Sequence, residues 1–574
     1  MSKTPNYDNK IMKILDSTKP GERVCELTGE KWQMTDEEIE VFRQLGVPPP
    51  NISPKTMVKW LAGFGTGVAI WKNKDVRTGK DIYSYIHPDH FIKVMDDKEW
   101  MNEEFLMNDE LNIQAPFFPQ LESHLRQIPL GALLDEGSSP NSFGVELIKS
   151  ENCYMTFFAY KCRKMLNTIN GVMSEDCYDV TNTYDSKESA LSNLSYRLFR
   201  CRYVNACHDC MSSSFLFDCR NCEYCFGATN KRNKSYLFFN QQCSKEEWEK
   251  KVGEIDLGCR DVFEEYEKKF IQLMEQEAVW PENFSVHAPG SIGDYLVDCV
   301  NCKHGFSEND SRNCFWDFMG DRNEGNYAVT WSDDTHQSFN CNGILHSQKM
   351  ICSHFSWYNN ALEYCFFCFN CEYCFGCIGL KRKQYCIFNK QYSEDEYWLR
   401  VDEIKCAMLK RKEYGQFFPA KFSPISFPYS VGDFYIEYTK DELDKFEVSH
   451  FDAMVGSIVQ QSHDMLTPEQ LPICVQDPKA DDIVGKPVFD KTLKRLFTIT
   501  KQELDFLRKI KLPLPKEHVF VRLQKSIRWS NSWFSVETNC GKCEAKINVH
   551  ENKTFLNRKV YCCECYLQYL EQKG

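Results

Sequence analysis

No run of 18 apolar residues occurs in this 574-residue chain, so no membrane-spanning helix is expected. The opening stretch MSKTPNYDNKIMKILDSTKP has neither the apolar core nor the small-residue cleavage site of a secretory signal. Phosphate-cradling loops are missing too: no GxxxxGK(S/T) is present, and no GxGxxG follows an apolar strand. HExxH and GxSxG are absent, which removes the common zinc-protease and nucleophile-elbow signatures. Histidine is sparse, 13 in all, and scattered. His336, His346 and His354 fall near Trp331, Asp333 and Asp334, but a pocket there needs inward convergence, and neighbouring strand residues such as Asp333 and Asp334 point to opposite faces. No catalytic grouping emerges.

Cysteine is absent between Cys25 and Cys153 and abundant afterwards: 23 of the 30 lie from Cys153 to Cys406, and five crowd into 540–565 after a lone Cys474. Without a secretion signal, this usage points to a reducing, cytoplasmic compartment, where clustered Cys is a metal ligand or a buried thiol rather than a disulfide. Charge is uneven as well. Residues 485–574 hold 18 Lys+Arg and 9 Asp+Glu, a net of +9, so a chain of net −13 leaves −22 on residues 1–484. A basic end on an acidic body suits nucleic acid, or is simply a solvated surface.

The Cys-rich middle is duplicated. NCEYCFG occupies 221–227 and again 370–376, and a constant offset of 149 aligns 219–248 with 368–397 without a gap. Each copy ends in a capping-box spacing, Ser244 with Glu247 and Ser393 with Glu396, which predicts a following helix. Upstream, short Cys/aromatic clusters such as NCFWDF, NYAVTW, MICSHF and EYCFFC recur every 9–14 residues or so between polar turns. We expect a mainly β fold with accessory helices, built as right-handed β-helix-like repeats in which like side chains stack from rung to rung. An antiparallel sandwich is the alternative. The runs Cys219-x2-Cys222-x2-Cys225 and Cys365 through Cys377 have a metal-like three-residue step, but the copies set Ala228 against Cys377 and Leu237 against Cys386. Packed interiors tolerate such exchanges better than ligand sets do, so buried thiol ladders are expected, with metal or redox chemistry left open.

The C-terminus reads as a zinc ribbon: Cys540-x2-Cys543, eighteen residues, then Cys562-x2-Cys565, with Cys563 at the wrong spacing. Four thiolates leave no open position, so one structural zinc is expected. WQMTDEEIEVFRQLGVPPPNIS (32–53) parallels FTITKQELDFLRKIKLPLPKEH (497–518), and 78–100 parallels 540–566. On that alignment Thr78/Asp81 and Asp96/Glu99 replace the two Cys pairs, which makes the N-terminal module a ribbon without its ligands.

These features resemble the large Cys-rich repeat proteins of candidate-phyla-radiation (Patescibacteria-type) bacteria. There, zinc-ribbon modules with a VPxP motif flank Cys/aromatic repeats ending, as here, in CFGCIGLKRKQYCIFNKQYSEDEY (374–397). The resemblance spans nearly the whole chain and carries over no catalytic residue; the N-terminal module departs from it, reading Ser53/Thr56, Thr78/Asp81 and Asp96/Glu99 at the usual Cys pairs.

The expected organisation is a degenerate ribbon-like module (1–110), a first repeat with helix (111–280), a second (281–415), an irregular linker (416–484) and a basic zinc-ribbon module (485–574). The expected function is a non-enzymatic, zinc-binding cytoplasmic scaffold with a protein partner, no membrane association and an undetermined oligomeric state. RNA or ribosome binding is the alternative, through Arg508, Lys509, Lys511, Lys516, Arg522, Lys525, Arg528 and Trp529 with neighbouring aromatics. A carbohydrate-active β-helix enzyme is the third reading, by fold analogy.

Overall fold

The structure, a computed structural model, describes residues 2–135, 137–451 and 465–574. The chain divides into two units, Met1–Ala132 with Phe284–Phe451, and Leu133–Asn283 with Asp452–Gly574. Each unit therefore combines one terminal segment with one Cys-rich segment. Strand predominates, with accessory helices.

In the second unit, ten strands from Phe143–Ile148 to Gln241–Gln242 follow one another in chain order in a single sheet. All neighbours are parallel except the last pair, where Leu237–Phe238 meets Gln241–Gln242 antiparallel. Along most of the ladder residue i pairs with i+12, as in Val180↔Ser192 and Leu216↔Ala228. The first unit carries the same register in a five-stranded and a four-stranded sheet, for instance Val329↔Cys341 and Cys374↔Cys386. Twelve residues falls within the expected spacing of the clusters. Bridges also recur 149 residues on: Glu151↔Arg163 with Val300↔Arg312, and Arg220↔Arg232 with Phe369↔Lys381.

What generates this register is a period of three. Positive φ recurs at Arg197, Arg200, Tyr203, Ala206, Asp209, Ser212 and Phe215. The following residues, Leu198, Cys201, Val204, Cys207, Cys210, Ser213 and Leu216, are all buried. Every third residue thus turns left-handed, and its successor points inward. Asn and Asp accept that conformation readily, while Tyr203, Phe215 or Trp316 hold it only because the neighbouring chain fixes them.

The interior explains the cysteines. Strands lie about 4.8 Å apart, so inward side chains stack closely and narrow ones fit. The Cys365 thiol donates to the carbonyls of Glu363 (3.5 Å) and Cys374 (3.4 Å). Ser347 does the same with Leu345 (2.8 Å) and Ser356 (3.3 Å). Inward Ser and Cys also accept the N–H twelve residues on: Ser353 from Cys365 (3.3 Å), and Cys207 from Cys219 (3.4 Å). Cys and Ser are therefore interchangeable in bonding corner backbone groups, among them carbonyls such as Glu363 O and Leu345 O that also accept a ladder N–H from Gly376 and Tyr358. Cys222 and Cys371, the two NCEYCFG copies, make matching bonds to Arg220 O and Phe369 O, both 3.4 Å. Among the described residues, neither Cys run sets three ligand atoms within 4.8 Å of one another.

Both predicted capping boxes form, at Ser244 with Glu247 and Ser393 with Glu396, each opening a helix. Two features differ from expectation. Cys259 and Cys474 form a disulfide within the second unit, whereas the sequence suggested free thiols. Residues 416–451, expected as irregular linker, bury Phe418, Phe427 and Val431 in the first unit, where Phe64 packs edge-on to Phe427. The remainder of that expected linker lies partly outside the described residues, at 452–464. Among the described residues no helix is long and apolar enough to cross a membrane.

Candidate metal centre

The ligand atoms of Cys540, Cys543, Cys562 and Cys565 all lie within 4.8 Å of one another, and this cluster can hold a metal ion. Cys543 Sγ and Cys562 Sγ are 3.8 Å apart, which matches the sulfur separation of about 3.8 Å across a tetrahedron with bonds of about 2.3 Å.

Local structure builds the site. The hairpin Ser535–Asn539/Lys546–His550 delivers Cys540 at the end of its first strand. Cys540 N–H donates to Ala545 O (2.8 Å), Glu544 N–H returns to Cys540 O (2.9 Å), and Glu544 takes a positive φ of 62° to close the knuckle. The second pair opens a helix: Cys562 is the N-cap of Cys563–Lys573, which sets Cys565 one turn in. Gly541 N–H joins the halves through Val560 O (2.8 Å). Cys540 Sγ accepts the N–H groups of Cys562 (3.2 Å) and Lys542 (3.5 Å). Burial opposes ionisation of this thiol, but those donors and the N–H of Cys543 outweigh it and bring it down to about 6. Cys540 is thus biased toward thiolate before any metal arrives, whereas Cys562 and Cys565 are shifted toward the neutral thiol, Cys565 by burial up to about 12. Cys563 faces Glu282 and Asn283 and is not in the cluster.

The same framework occurs three more times without thiol sets. In the first unit, the hairpin Trp71–Lys74/Asp81–Ser84 delivers Asp75, and Asp96 caps the helix Asp97–Asn102. Asp75 Oδ1 accepts from Arg77 N (3.0 Å), Thr78 N (2.6 Å) and Thr78 Oγ1 (2.9 Å), while Oδ2 accepts from Asp96 N (2.9 Å). These are the donors that Cys540 faces, now satisfied by a carboxylate. In the second unit, Asp490 ends the hairpin Pro487–Asp490/Arg495–Thr498 and accepts from Thr492 N (2.8 Å), Leu493 N (2.8 Å) and His518 N (2.7 Å); His518 caps Val519–Ile527. The first N-terminal knuckle joins Cys25 and Thr28 to Ser53 and Thr56, with Ser53 Oγ and Thr56 Oγ1 2.8 Å apart. Positive φ marks the same step in each: Gly29, Gly79, Lys494 and Glu544.

This corrects the register read from sequence. The replacement for the first Cys pair in the second N-terminal knuckle is Asp75/Thr78, three residues before Thr78/Asp81. Asp81 instead sits in a strand, paired with Lys72 (2.6 Å) and Lys74. Asp75 and Asp490 escaped sequence reading because an acid is an ordinary hairpin residue. For Asp75 the usable signal was D-x-x-T-G directly after a strand; Asp490, followed by Lys491-Thr492-Leu493-Lys494, lacks it.

The basic residues occupy different surroundings. Arg508 holds Asp481 through two bonds (3.0 and 2.8 Å), Lys509 pairs with Asp176 and Glu188, and Lys516 pairs with Glu264 (2.6 Å). Lys525 binds Glu517 (2.7 Å), and Arg522 is buried against Asp179 (2.6 and 2.9 Å). Lys516, Arg522, Lys525, Arg528 and Trp529 line a cavity of about 560 Å³, but Asp179, Glu264, Glu267 and Glu517 line it too. Trp529 is edge-on to Tyr203 at 5.3 Å. Lys511 is exposed at the end of the helix Lys501–Ile510.

Two of the three singled-out histidines converge. His336 Nε2 lies 3.0 Å from Asp334 Oδ1, and His346 Nδ1 lies 3.2 Å from Asp334 Oδ2, on a groove of about 550 Å³. His354 is instead fully buried among Phe64, Phe355 and Phe366, where burial pushes its pKa down. Asp333 pairs with Arg322, and its other oxygen lies 4.0 Å from His346 Nε2.

No family model matches this chain, and no curated protein is significantly similar to it.

Proposed function

We propose that this protein is a non-enzymatic, zinc-binding scaffold of the cytoplasm, in which two duplicated β-helical bodies present small knuckle modules to a protein partner. The observation that carries this reading is the mutual approach of four sulfurs at Cys540, Cys543, Cys562 and Cys565. A metal there has all four positions filled by the chain, so it shapes a module and offers no site to a substrate. Zinc suits a tetrahedral thiolate set presented by two knuckles. The parallel ladders at a 12-residue register, with four three-residue steps per repeat, favour a coil over a sandwich. The resemblance to the Cys-rich proteins of candidate-phyla-radiation bacteria accords with this, and the mostly free thiols accord with a reducing compartment.

RNA or ribosome binding is the second reading. It draws on the net +9 of residues 485–574, but phosphate would have to compete with the acids that already hold Arg508, Lys509, Lys516, Arg522 and Lys525. A glycan-directed activity at the Asp334 groove stands third. Co-purification at low and high salt tests the order. A protein partner retained at high salt supports the scaffold; nucleic acid eluting steeply with salt replaces it with the second reading.

A further inference from the structure

The interior of the first unit's array is apolar or thiol-lined along most of its length: Val329, Cys341, Ile344, Met350, Leu362 and Cys365 are all 0% exposed. Near its start the lining changes. Cys299, Cys302, Glu308 and Asp317 are 0% exposed and Cys314 1%. The ligand atoms of Cys299, Cys302 and Glu308 lie within 4.8 Å of one another, and so do those of Glu308, Cys314 and Asp317, with Glu308 common to both groups. Among the described residues, neither Glu308 oxygen has a hydrogen-bond partner, nor does Asp317 Oδ1. Asp317 Oδ2 is held by the side-chain amides of Asn323 (3.0 Å) and Asn326 (3.2 Å). Room for the Glu308 carboxylate is made at Gly305, where a Cβ would stand 2.1 Å from Oε1.

Two facing acids inside a protein are costly unless a cation or protons compensate them. Burial and then the Asp317 charge push Glu308 upward, and burial pushes Asp317 up to about 6. Among the described residues no Lys, Arg or His pairs with either acid. The fold itself does not require them. At the positions 149 residues earlier, the first array carries Ser150, Cys153, Ala159, Met165 and Thr168 in the same ladder. The second array therefore departs from its own duplicate toward two overlapping enclosed groups, Cys299/Cys302/Glu308 and Glu308/Cys314/Asp317, that share one carboxylate.

We propose that Cys299, Cys302, Glu308, Cys314 and Asp317 form a second, enclosed site for a thiophilic divalent cation of the zinc class. Ligand bonds of about 2.3 Å to sulfur and about 2.0–2.2 Å to oxygen fit groups whose donor atoms are this close. Mixed soft and hard donors select zinc over calcium or magnesium, which prefer oxygen alone. Asn323 and Asn326 orient Asp317 as outer-shell partners do. The inference does not depend on the scaffold reading.

The test is metal content of the full chain, purified without oxygen or chelator. Wild type should hold two zinc equivalents, and the Cys540→Ser/Cys562→Ser variant one. In that background, Cys299→Ser/Glu308→Ala/Cys314→Met/Asp317→Thr, which transplants the first array's own lining, should hold none while keeping its far-UV circular dichroism. Cobalt loaded into Cys540→Ser/Cys562→Ser should show thiolate charge-transfer absorption that the transplant abolishes. One equivalent in wild type and none in Cys540→Ser/Cys562→Ser would overturn the proposal, as would a transplant that keeps its metal.

Discussion

Replacing Asp75 by Asn tests whether a carboxylate has taken over a knuckle from a metal. The carboxylate is 3% exposed and accepts four hydrogen bonds, three at Oδ1 and one, from Asp96 N–H, at Oδ2. An asparagine oxygen can keep the three within its own knuckle, but its NH2 then faces the Asp96 N–H, donor against donor. Losing a charge-assisted bond costs about 1.5–3 kcal/mol, and the retained bonds weaken as the acceptor becomes neutral. We expect a loss of about 3 kcal/mol, localised to residues 71–102. A chain of two units does not unfold in one step, so a global midpoint is the wrong assay. Amide hydrogen exchange resolves the place: the Asp96 amide should exchange about 100-fold faster, at about 1.4 kcal/mol per decade. Asp81→Asn is the control. Its ion pairs with Lys72 and Lys74 are exposed and screened by solvent, so Asp81→Asn should leave the exchange of the Asp96 amide unchanged.

The pH dependence has a definite sign. Burial opposes ionisation of Asp75, yet the N–H groups of Asp96 and Thr78 outweigh it and hold its pKa below the usual value. Its contribution is therefore present above the unfolded Asp pKa of about 3.9 and lost as pH falls through the lower folded value. The difference between wild type and Asp75→Asn should be constant at neutral pH and shrink only in that acid window. An Asp81→Asn chain that opens while Asp75→Asn stays closed would refute the reasoning and restore the sequence-based register.

At the four-cysteine cluster, protons compete with metal for the thiolates, so acidification should release the metal, as followed with a chromophoric chelator, and Cys543→Ser should remove one equivalent. Alkylation of the metal-free native chain, mapped by mass spectrometry, should modify Cys543 and Cys563 first and leave Cys365, Cys368 and Cys374 untouched until unfolding; early modification of those three would contradict their burial. Arg522→Ala strands Asp179 and should destabilise the second unit by about 3–5 kcal/mol, whereas Lys511→Ala should leave stability within about 0.5 kcal/mol, as hydrogen exchange can show.

Sequence legibility followed chemistry. CxxC repeated across eighteen residues announces a knuckle pair because only thiols at that step can close on a metal, and 540–565 was readable on those grounds. The kinship of 32–53 with 497–518 was readable from its helix and proline pattern. The register at Asp75 was not, because aligning Gly79-Lys80 with Gly541-Lys542 matched residue types, whereas the backbone equates Gly79 with Glu544, the left-handed step. The period of three was hidden for a related reason. Left-handed positions normally announce themselves as Gly, Asn or Asp, but here Trp316, Trp331, Phe355 and Tyr373 also hold them. Their bulk read as core signal and drew attention from the small inward residue that follows each one.

The exchange of acid for thiol also separates the two kinds of buried carboxylate in this molecule. Asp75 and Asp490 sit where backbone N–H groups already converge, so each satisfies a preformed set of donors and needs no metal. Glu308 sits where the surrounding groups are thiols and another acid, and among the described residues no backbone N–H, amide or cationic group donates to it. A carboxylate that replaces a ligand quenches donors; a carboxylate that joins thiols without donors creates demand for a cation. The same chemical group thus removes a metal site in one knuckle of this chain and builds one within its array, and what decides between them is the polarity of the atoms facing the oxygen.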